Sequence, residues 1–156
     1  LLGRDALEPL VDRARAAGAG AFLLVRTSNP GAADVMDLEL AAGGRVWEAL
    51  AGLADALGMP GESGLKDVGA VTGATEPGHL EHMRELMPRT PFLLPGVGAQ
   101  GGDVRALGPA FAPGRAGGLV TASRSIVGAP EVAGGAPGEA ARREAERLRE
   151  LAWALA

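Results

Sequence analysis

The sequence predicts an α/β fold in which a parallel sheet forms half of a (β/α)8 barrel. A helical pattern opens the chain, and a short apolar run followed by a helical pattern then occurs four times. Such alternation is typical of parallel strands joined by crossover helices. The apolar runs are short and unbroken, which is typical of strands covered on both faces. Four strands with four helices make half of a (β/α)8 barrel, although a small open sheet has the same order of elements.

The helices are predicted from apolar residues that stand three or four positions apart. They cover residues 5–17, about 45–57, 76–87 and 139–155. Gly18 ends the first helix, and Pro77 stands in the first turn of the third, where an N–H would have no helical acceptor. A looser region, residues 32–44, precedes the second helix. A weaker helical stretch at residues 103–111 contains Gly108 and Pro109.

The strands are predicted at residues 21–25, 68–72, 91–94 and 119–122, each a short apolar run. Residues 129–138 are rich in glycine and proline, so we predict a connector there that leads into the last helix, residues 139–155. The length of 156 residues suits one domain. We therefore expect residues 1–156 to belong to a single domain.

The composition excludes several classes of protein. The absence of cysteine excludes a disulfide scaffold and a thiolate metal site. A net charge of −4, with three phenylalanines, two tryptophans and no tyrosine, argues against a nucleic-acid partner. The longest strongly apolar stretch, residues 21–25, is far too short to cross a membrane. Because no secretory leader opens the chain and cysteine is absent, we expect a cytoplasmic protein.

Small polar residues follow every predicted strand. The segments are Arg-Thr-Ser-Asn-Pro-Gly at 26–31, Gly-Ala-Thr at 73–75, a glycine-rich loop at 95–103 and Ser-Arg-Ser at 123–125. In parallel α/β folds the carboxyl ends of the strands carry the binding residues. We therefore expect these four segments to form one strand-end rim that binds a ligand.

The third segment predicts a phosphate site. Gly96, Gly98, Gly101 and Gly102 stand within seven residues, and glycine lets backbone N–H groups approach an anion closely. Arg124, after the next strand, can supply a forked pair of donors to phosphate oxygens. In (β/α)8 enzymes phosphate commonly binds after the seventh and eighth strands.

The same glycines also fit the dinucleotide-binding pattern G-x-G-x-x-G. That pattern needs an acidic residue near the end of the next strand to bind the ribose, and residues 121–124 are Thr-Ala-Ser-Arg. A nucleotide-cofactor module remains an alternative.

His79 and His82, three positions apart on a predicted helix, could hold a metal ion, but a third ligand is missing. Because Glu81, Arg84 and Glu85 surround them, we interpret this segment as the solvated face of an outer helix, and we predict no metal site.

No catalytic grouping is apparent. Lys66, the one lysine, precedes its strand and so belongs to the end of the sheet opposite the rim. Asp34 and Asp37 follow the first strand and could reach the rim, but nothing in the sequence assigns either a role. The chain thus has a binding rim without an evident catalytic group.

Taken together, the strand-end motifs resemble those of the orotidine 5'-phosphate decarboxylase family, in its longer bacterial branch. Residues 22–31 are similar to that family's fifth strand and loop, residues 68–75 to its sixth, residues 95–103 to its seventh and residues 123–126 to its eighth. Residues 2–5 look like the turn after its fourth strand. The resemblance covers residues 1 to about 129 and implies the C-terminal half of a (β/α)8 barrel.

The resemblance implies the decarboxylation of orotidine 5'-monophosphate to uridine 5'-monophosphate, without cofactor or metal. Ser28 would hydrogen-bond the pyrimidine, and Gln100 would bridge phosphate and base. Arg124 and the backbone near Ser123 would hold the phosphate. The remaining substrate-binding residues implied are Pro95, Gly96, Gly98 and Gly101.

Two departures separate this chain from the family pattern. Val-Thr-Ala-Ser at 120–123 replaces the more usual Val-Asn-Ser-Ser. The family's catalytic motif Asp-x-Lys-x-x-Asp does not occur, so no catalytic residue is assigned in this chain and we expect it to be inactive alone. The expected partners are a nucleoside monophosphate and a missing N-terminal half of the barrel, with homo-oligomerisation left open. The alternative is a non-catalytic phosphate- or nucleotide-binding α/β module, complete as it stands.

Overall fold

Four parallel strands lie side by side in the order in which they occur along the chain. A computed structural model describes residues 3–98 and 100–155, so that Leu2 of the predicted turn and Ala99 of the glycine loop lie outside the described residues. The strands are β1 (Ala21–Arg26), β2 (Val68–Thr72), β3 (Phe92–Leu94) and β4 (Gly118–Val120). All three neighbouring pairs are parallel, which brings the four carboxyl ends to one edge of the sheet.

Whereas 3-10 helices connect β3 to β4, α-helices precede β1, connect β1 to β2 and β2 to β3, and follow β4. The α-helices are α1 (Arg4–Ala16), α2 (Ala33–Met36), α3 (Val46–Leu57), α4 (Pro77–Leu86), α5 (Ser123–Val127), α6 (Ala129–Ala133) and α7 (Pro137–Trp153). Residues 32–44, predicted as a loose region, contain the short helix α2. The weak helical stretch before β4 is a 3-10 helix, Val104–Phe111, which continues through Pro109. Within the described residues, no helix combines the length and the apolar character that crossing a membrane requires.

The predicted connector, residues 129–138, is wrong in extent. Helix α6 occupies its first half, and α7 begins at Pro137, before residue 139, and ends at Trp153, before residue 155. Proline is frequent in loops but also suits the first turn of a helix, where Pro130 and Pro137 stand. The actual break is Gly134–Ala136, where Gly134 and Gly135 have φ angles of 65° and 92°.

The prediction that β1 is covered on both faces is also wrong. Phe22 and Leu24 are 44% and 51% exposed, while Val25 is fully buried. Leu24, Val71, Leu93 and Leu119 are successive partners across the four strands, so they form a row on one face. We call this row, with Phe22, the open face of the sheet.

The helices cover the opposite face and build the core there. Its largest fully buried side chains include Trp47, Leu80, Met83, Phe92 and Leu94. Helix α3 packs against β1 and β2, and α4 packs against α3 and the 3-10 helix. The sheet therefore has one face stabilised by helices and one apolar face turned to solvent.

Arg84 is buried, so the interpretation of its helix segment as a solvated face is wrong at this residue. The residue is only 8% exposed, and its guanidinium carbon lies 3.8 Å from the centre of the Phe92 ring. It donates hydrogen bonds of 2.6–3.3 Å to five backbone carbonyls, those of Met87, Thr90, Pro109, Ala110 and Gly117. Burial lowers the pKa of Arg84 to about 10, so the side chain is still charged at neutral pH.

Replacing Arg84 by Met should destabilise the fold by about 3–5 kcal/mol, because buried carbonyls would lose their donor. The matched control is Arg89→Met, since Arg89 is exposed three residues beyond the end of the same helix; it should change stability by less than about 0.5 kcal/mol. Urea denaturation followed by circular dichroism measures both. An equal effect of the two substitutions would contradict the role assigned to Arg84.

The isolated chain should self-associate, because an apolar open face and two strand edges are unprotected. Sedimentation velocity at increasing concentration should show species larger than a monomer. Replacing Leu24 and Leu119 together by Lys should shift the distribution towards monomer. A monodisperse, cooperatively melting wild-type monomer would contradict this prediction.

Candidate functional site

The four strand-end segments meet at one edge of the sheet, as predicted. Backbone hydrogen bonds continue between them beyond the strands. The amide of Gly73 donates to the carbonyl of Arg26 (2.9 Å), and that of Ala74 donates to Pro95 (2.8 Å). The amide of Thr121 donates to Leu94 at 3.2 Å. Segments far apart in sequence are thus held side by side as a continuous rim.

Ser28 and Gln100 form the central contact of the rim. Ser28 Oγ donates a hydrogen bond of 2.7 Å to Gln100 Oε1, which joins the segments after β1 and β3. The hydroxyl of Thr75, after β2, donates to the carbonyl of Ser28 at 3.3 Å. One serine therefore ties three strand-end segments together.

The glycine loop is a tight turn closed on itself. The amides of Gly98, Gly101 and Gly102 donate to the carbonyls of Gly102, Gly98 and Gly96 at 2.8–3.0 Å. In this conformation these three N–H groups are used within the loop and do not point to a ligand. The loop leads into a 3-10 helix, whereas the dinucleotide-binding pattern leads into an α-helix.

Gly96 lets the loop approach the rest of the rim. Its φ angle is +104°, a conformation that favours glycine. A Cβ atom at this position would lie 2.8 Å from Ser28 Cβ and 2.9 Å from Gln100 Oε1. The close contact between the loop and Ser28 therefore depends on the missing side chain.

Two adjoining clefts share Gln100. The first, the Ser28 cleft, has a volume of about 390 Å³ and is lined by Arg26, Ser28, Asn29, Pro30, Ala33, Thr75, Glu76 and Gln100. The second, the Arg124 cleft, has about 160 Å³ and is lined by Pro95, Gly96, Val97, Gln100, Thr121, Ala122, Ser123 and Arg124. Gly98 and Gly101 line neither cleft; Gly98 packs near Ser125, and Gly101 has a φ of +91°. The remaining predicted site residues come together in these clefts.

Arg124 is exposed at the start of α5. It forms the wall between the Arg124 cleft and a larger cleft of about 590 Å³ that lies against α6 and α7. No carboxylate among the described residues forms an ion pair with its guanidinium. Its charge is therefore available to an anion in the smaller cleft.

The ion pair between Arg26 and Asp37 is not predicted by the sequence. Arg26 is 5% exposed, and its Nε and Nη2 donate to the two carboxylate oxygens at 3.1 and 3.0 Å. The hydrogen bonds from Arg26 lower the pKa of Asp37 against the opposing effect of burial. Asp34, three residues earlier, is exposed. An arginine after an apolar run is a signal for a buried pair, but spacing alone does not select Asp37 over Asp34.

His79 and His82 have different environments. His82 is exposed, and hydrogen bonds to Glu85 and Glu48 raise its pKa. His79 packs against the buried ring of Trp47, and burial lowers its pKa, so the solvated-face interpretation is wrong for this residue. Across residues 3–98 and 100–155, no three metal-ligating side chains come together.

Lys66 lies at the end of the sheet opposite the rim, as expected from its place before β2. Its ammonium group pairs with the carboxylate of Asp55 at 2.6 Å and donates to the Asp55 carbonyl at 2.7 Å. The one lysine of the chain thus has a structural partner far from the clefts.

Comparison with known proteins identifies similar sequences over nearly the whole chain. A sequence model described as the orotidine 5'-phosphate decarboxylase / HUMPS family matches residues 1–141. The orotidine 5'-phosphate decarboxylase of Halorubrum lacusprofundi is 45% identical over 96% of this chain and 56% of its own length. That of Haloarcula marismortui is 51% identical over 83% of this chain and 44% of its own. The chain spans about half the length of these relatives.

Solved structures show the same fold. The OMP decarboxylase of Leishmania donovani superposes with a TM-score of 0.66 at 28% identity, over 97% of this chain and 54% of that one. Together with the four parallel strands in chain order, this likeness confirms the predicted α/β half-barrel.

Proposed function

Because the chain belongs to the orotidine 5'-phosphate decarboxylase / HUMPS family, we propose that it is the substrate-binding half of an enzyme that converts orotidine 5'-monophosphate to uridine 5'-monophosphate and CO2. The observation that carries the proposal is the Ser28–Gln100 hydrogen bond, which stands where two clefts meet. The Ser28 cleft offers amide and hydroxyl groups beside Glu76 and the Asp37-paired Arg26, and the Arg124 cleft offers an exposed arginine. A nucleoside monophosphate has the matching chemistry, a polar base and an anion at opposite ends.

The pyrimidine would lie in the Ser28 cleft and the phosphate in the Arg124 cleft. The Ser28 hydroxyl, which already contacts Gln100, would exchange this bond for one to the base. Arg124 would supply charge-assisted hydrogen bonds to the phosphate oxygens, aided by the backbone near Ser123. Gln100 belongs to both clefts, so its amide is placed to contact both ends of the nucleotide.

In the proposed reaction the bond between the pyrimidine C6 and the carboxylate carbon breaks, CO2 leaves, and its electron pair stays on C6. A proton donor must then protonate C6. Ser28, Gln100 and Arg124 bind and orient the nucleotide, but none is a suitable acid towards carbon. We propose that the family's Asp-x-Lys-x-x-Asp motif supplies the lysine from outside this chain and that no metal or cofactor takes part. Contacts to the remote phosphate would favour the preorganised site and so contribute to the rate.

The partner we propose for the open face is an N-terminal half-barrel. Support comes from the relatives, which are about twice as long as this chain. A groove of about 430 Å³ along the outer edge of β1 is lined by apolar side chains, among them Leu7, Leu23, Leu24, Leu50 and Leu53. Further strands pairing with β1 and β4 would close the barrel and cover Phe22, Leu24 and Leu119. A cytoplasmic location is part of the same proposal, as for a biosynthetic enzyme without cysteines.

Replacing Arg124 by Ala in the complete barrel should weaken the binding of uridine 5'-monophosphate about 10- to 150-fold, because charge-assisted hydrogen bonds to the phosphate are lost. Uridine, which has no phosphate, should bind as before. Arg105→Ala is the matched control, since Arg105 is exposed and outside both clefts. Calorimetric titration measures the affinity of each variant and of the wild type for both ligands. An equal loss of affinity for both ligands would show that Arg124 does not bind the phosphate.

The 156-residue chain alone should not decarboxylate orotidine 5'-monophosphate, while mixing it with the N-terminal half should restore turnover. The loss of orotate absorbance reports the reaction. Lys66→Ala should leave the restored rate unchanged, because Lys66 pairs with Asp55 at the far end of the sheet. Turnover by the isolated chain that survives Lys66→Ala would contradict the proposed location of the proton donor.

A further inference from the structure

The segment that carries Ser28 is tied together at its two ends. Arg26 is the last residue of β1, and Asp37 directly follows α2, so their ion pair closes residues 27–36 into a ring. At the same place the amide of Thr27 lies 3.4 Å from the sulfur of Met36, its hydrogen-bond acceptor. Two neighbouring contacts therefore join the same two ends of this segment, which we call the Ser28 segment.

An irregularity in β1 turns Arg26 into this position. Leu24 pairs with Val71 and Arg26 pairs with Thr72, so Val25 is an extra residue in the register. Along β1 exposed and covered residues alternate until Val25 and Arg26, which are both buried. Regular alternation would have placed Arg26 with Phe22 and Leu24 on the open face. Bulges next to binding sites commonly redirect one side chain in this way.

The ion pair is largely shielded from water and has a defined geometry. The Arg26 side chain is 6% exposed and that of Asp37 is 20% exposed, and the two make parallel hydrogen bonds. Paired fork geometry fixes direction as well as distance. Arg26 also lines the Ser28 cleft, so the pair lies directly beside the space assigned to the pyrimidine.

The pair directly borders one cleft and not the other. It contacts the Ser28 segment, whereas the Arg124 cleft is shaped by bonds within the glycine loop and by the bond from Thr121 to Leu94. Removing the Asp37 charge would leave Arg26 buried without a counterion, which would favour displacement of the segment. Such displacement would move Ser28 away from Gln100, whereas Arg124 and the backbone near Ser123 lie on another segment and would keep their positions.

We propose that Arg26 and Asp37 are positioning residues for base recognition: their ion pair holds the Ser28 segment where Ser28 reaches Gln100 and the pyrimidine. This inference rests on the proposed function for the identity of the ligand. It assigns Asp37 a role and gives Asp34, exposed on α2 in the same segment, none.

The test compares Asp37→Asn with Asp34→Asn in the complete barrel, using two ligands. Uridine 5'-monophosphate has base, ribose and phosphate, and ribose 5-phosphate lacks only the base. Asp37→Asn should weaken the binding of uridine 5'-monophosphate about tenfold, the effect of losing one charge-assisted interaction. The affinity for ribose 5-phosphate should change less than about twofold, a difference expected for a cleft the pair does not touch. Asp34→Asn should change neither, and Asp37→Glu, which keeps the charge, should recover part of the loss.

Equal weakening of both ligands by Asp37→Asn would indicate a general loss of structure and overturn the proposal, as would no effect on either. Should Asp37→Asn fail to fold, the same two ligands are compared with Asp37→Glu. A loss of affinity for uridine 5'-monophosphate alone would support the proposal, and an equal loss for both ligands or no loss would overturn it. Absence of uridine 5'-monophosphate binding by the wild type would refute the proposed function instead. Hydrogen exchange then tests the pair by itself: amides of residues 27–36 should exchange faster in Asp37→Asn than in Asp34→Asn, and equal rates would overturn the proposal.

Discussion

The guanidinium group of Arg84 organises the amino ends of the last two strands. It binds carbonyls from the end of α4, from the turn before β3 and from the segment before β4, and its plane lies against Phe92 in the core. Burying a cation is costly, and here five carbonyl acceptors and an aromatic ring offset that cost. Because β3 and β4 begin where this cluster holds them, the loops at their other ends have defined positions. Those loops carry Gln100 and Arg124.

The groups that join the strands and the groups that line the clefts lie at opposite ends of the sheet. The amino ends are joined by Arg84, by Lys66 with Asp55, and by Arg15, whose Nε lies 2.6 Å from Asp67. The carboxyl ends carry the clefts, whose polar lining includes a serine, an asparagine, a glutamate, a glutamine and an arginine. The Arg26–Asp37 pair is the exception, an ion pair at the binding end. Its place beside the Ser28 cleft is the reason to connect it with recognition rather than with stability.

The open face shows how incomplete this sheet is as a folding unit. A parallel sheet in an α/β protein is normally covered on both sides. Here helices cover one side, and the row from Leu24 to Leu119 on the other side meets solvent. The same row would become the interior of a barrel once further strands joined β1 and β4. In the proposed complete barrel, the clefts would lie at the rim of the surface that closure buries.

The sequence by itself determined the order of the elements, the positions of the strands to within two residues and the membership of the rim. Apolar periodicity and glycine positions are local signals, and the motifs at 26–31, 73–75, 95–103 and 123–125 lie where those signals place strand ends. The tertiary structure alone decided which polar groups are buried and what they contact. Arg84 looks like a surface residue among charged neighbours, and only the crossing of α4 with the 3-10 helix surrounds it with carbonyls.

The same distinction separates Asp37 from Asp34, and His79 from His82. In each pair the residues share a segment and a chemistry. Asp37 differs from Asp34 because the bulge in β1 turns Arg26 towards it. His79 differs from His82 in its burial, although both rings lie 5.5 Å from that of Trp47. Even the prolines of residues 129–138 fit a loop and a helix start equally well until the chain folds. Local sequence patterns report on what a residue's neighbours along the chain favour. Burial and pairing depend on the three-dimensional approach of elements, which those patterns do not encode.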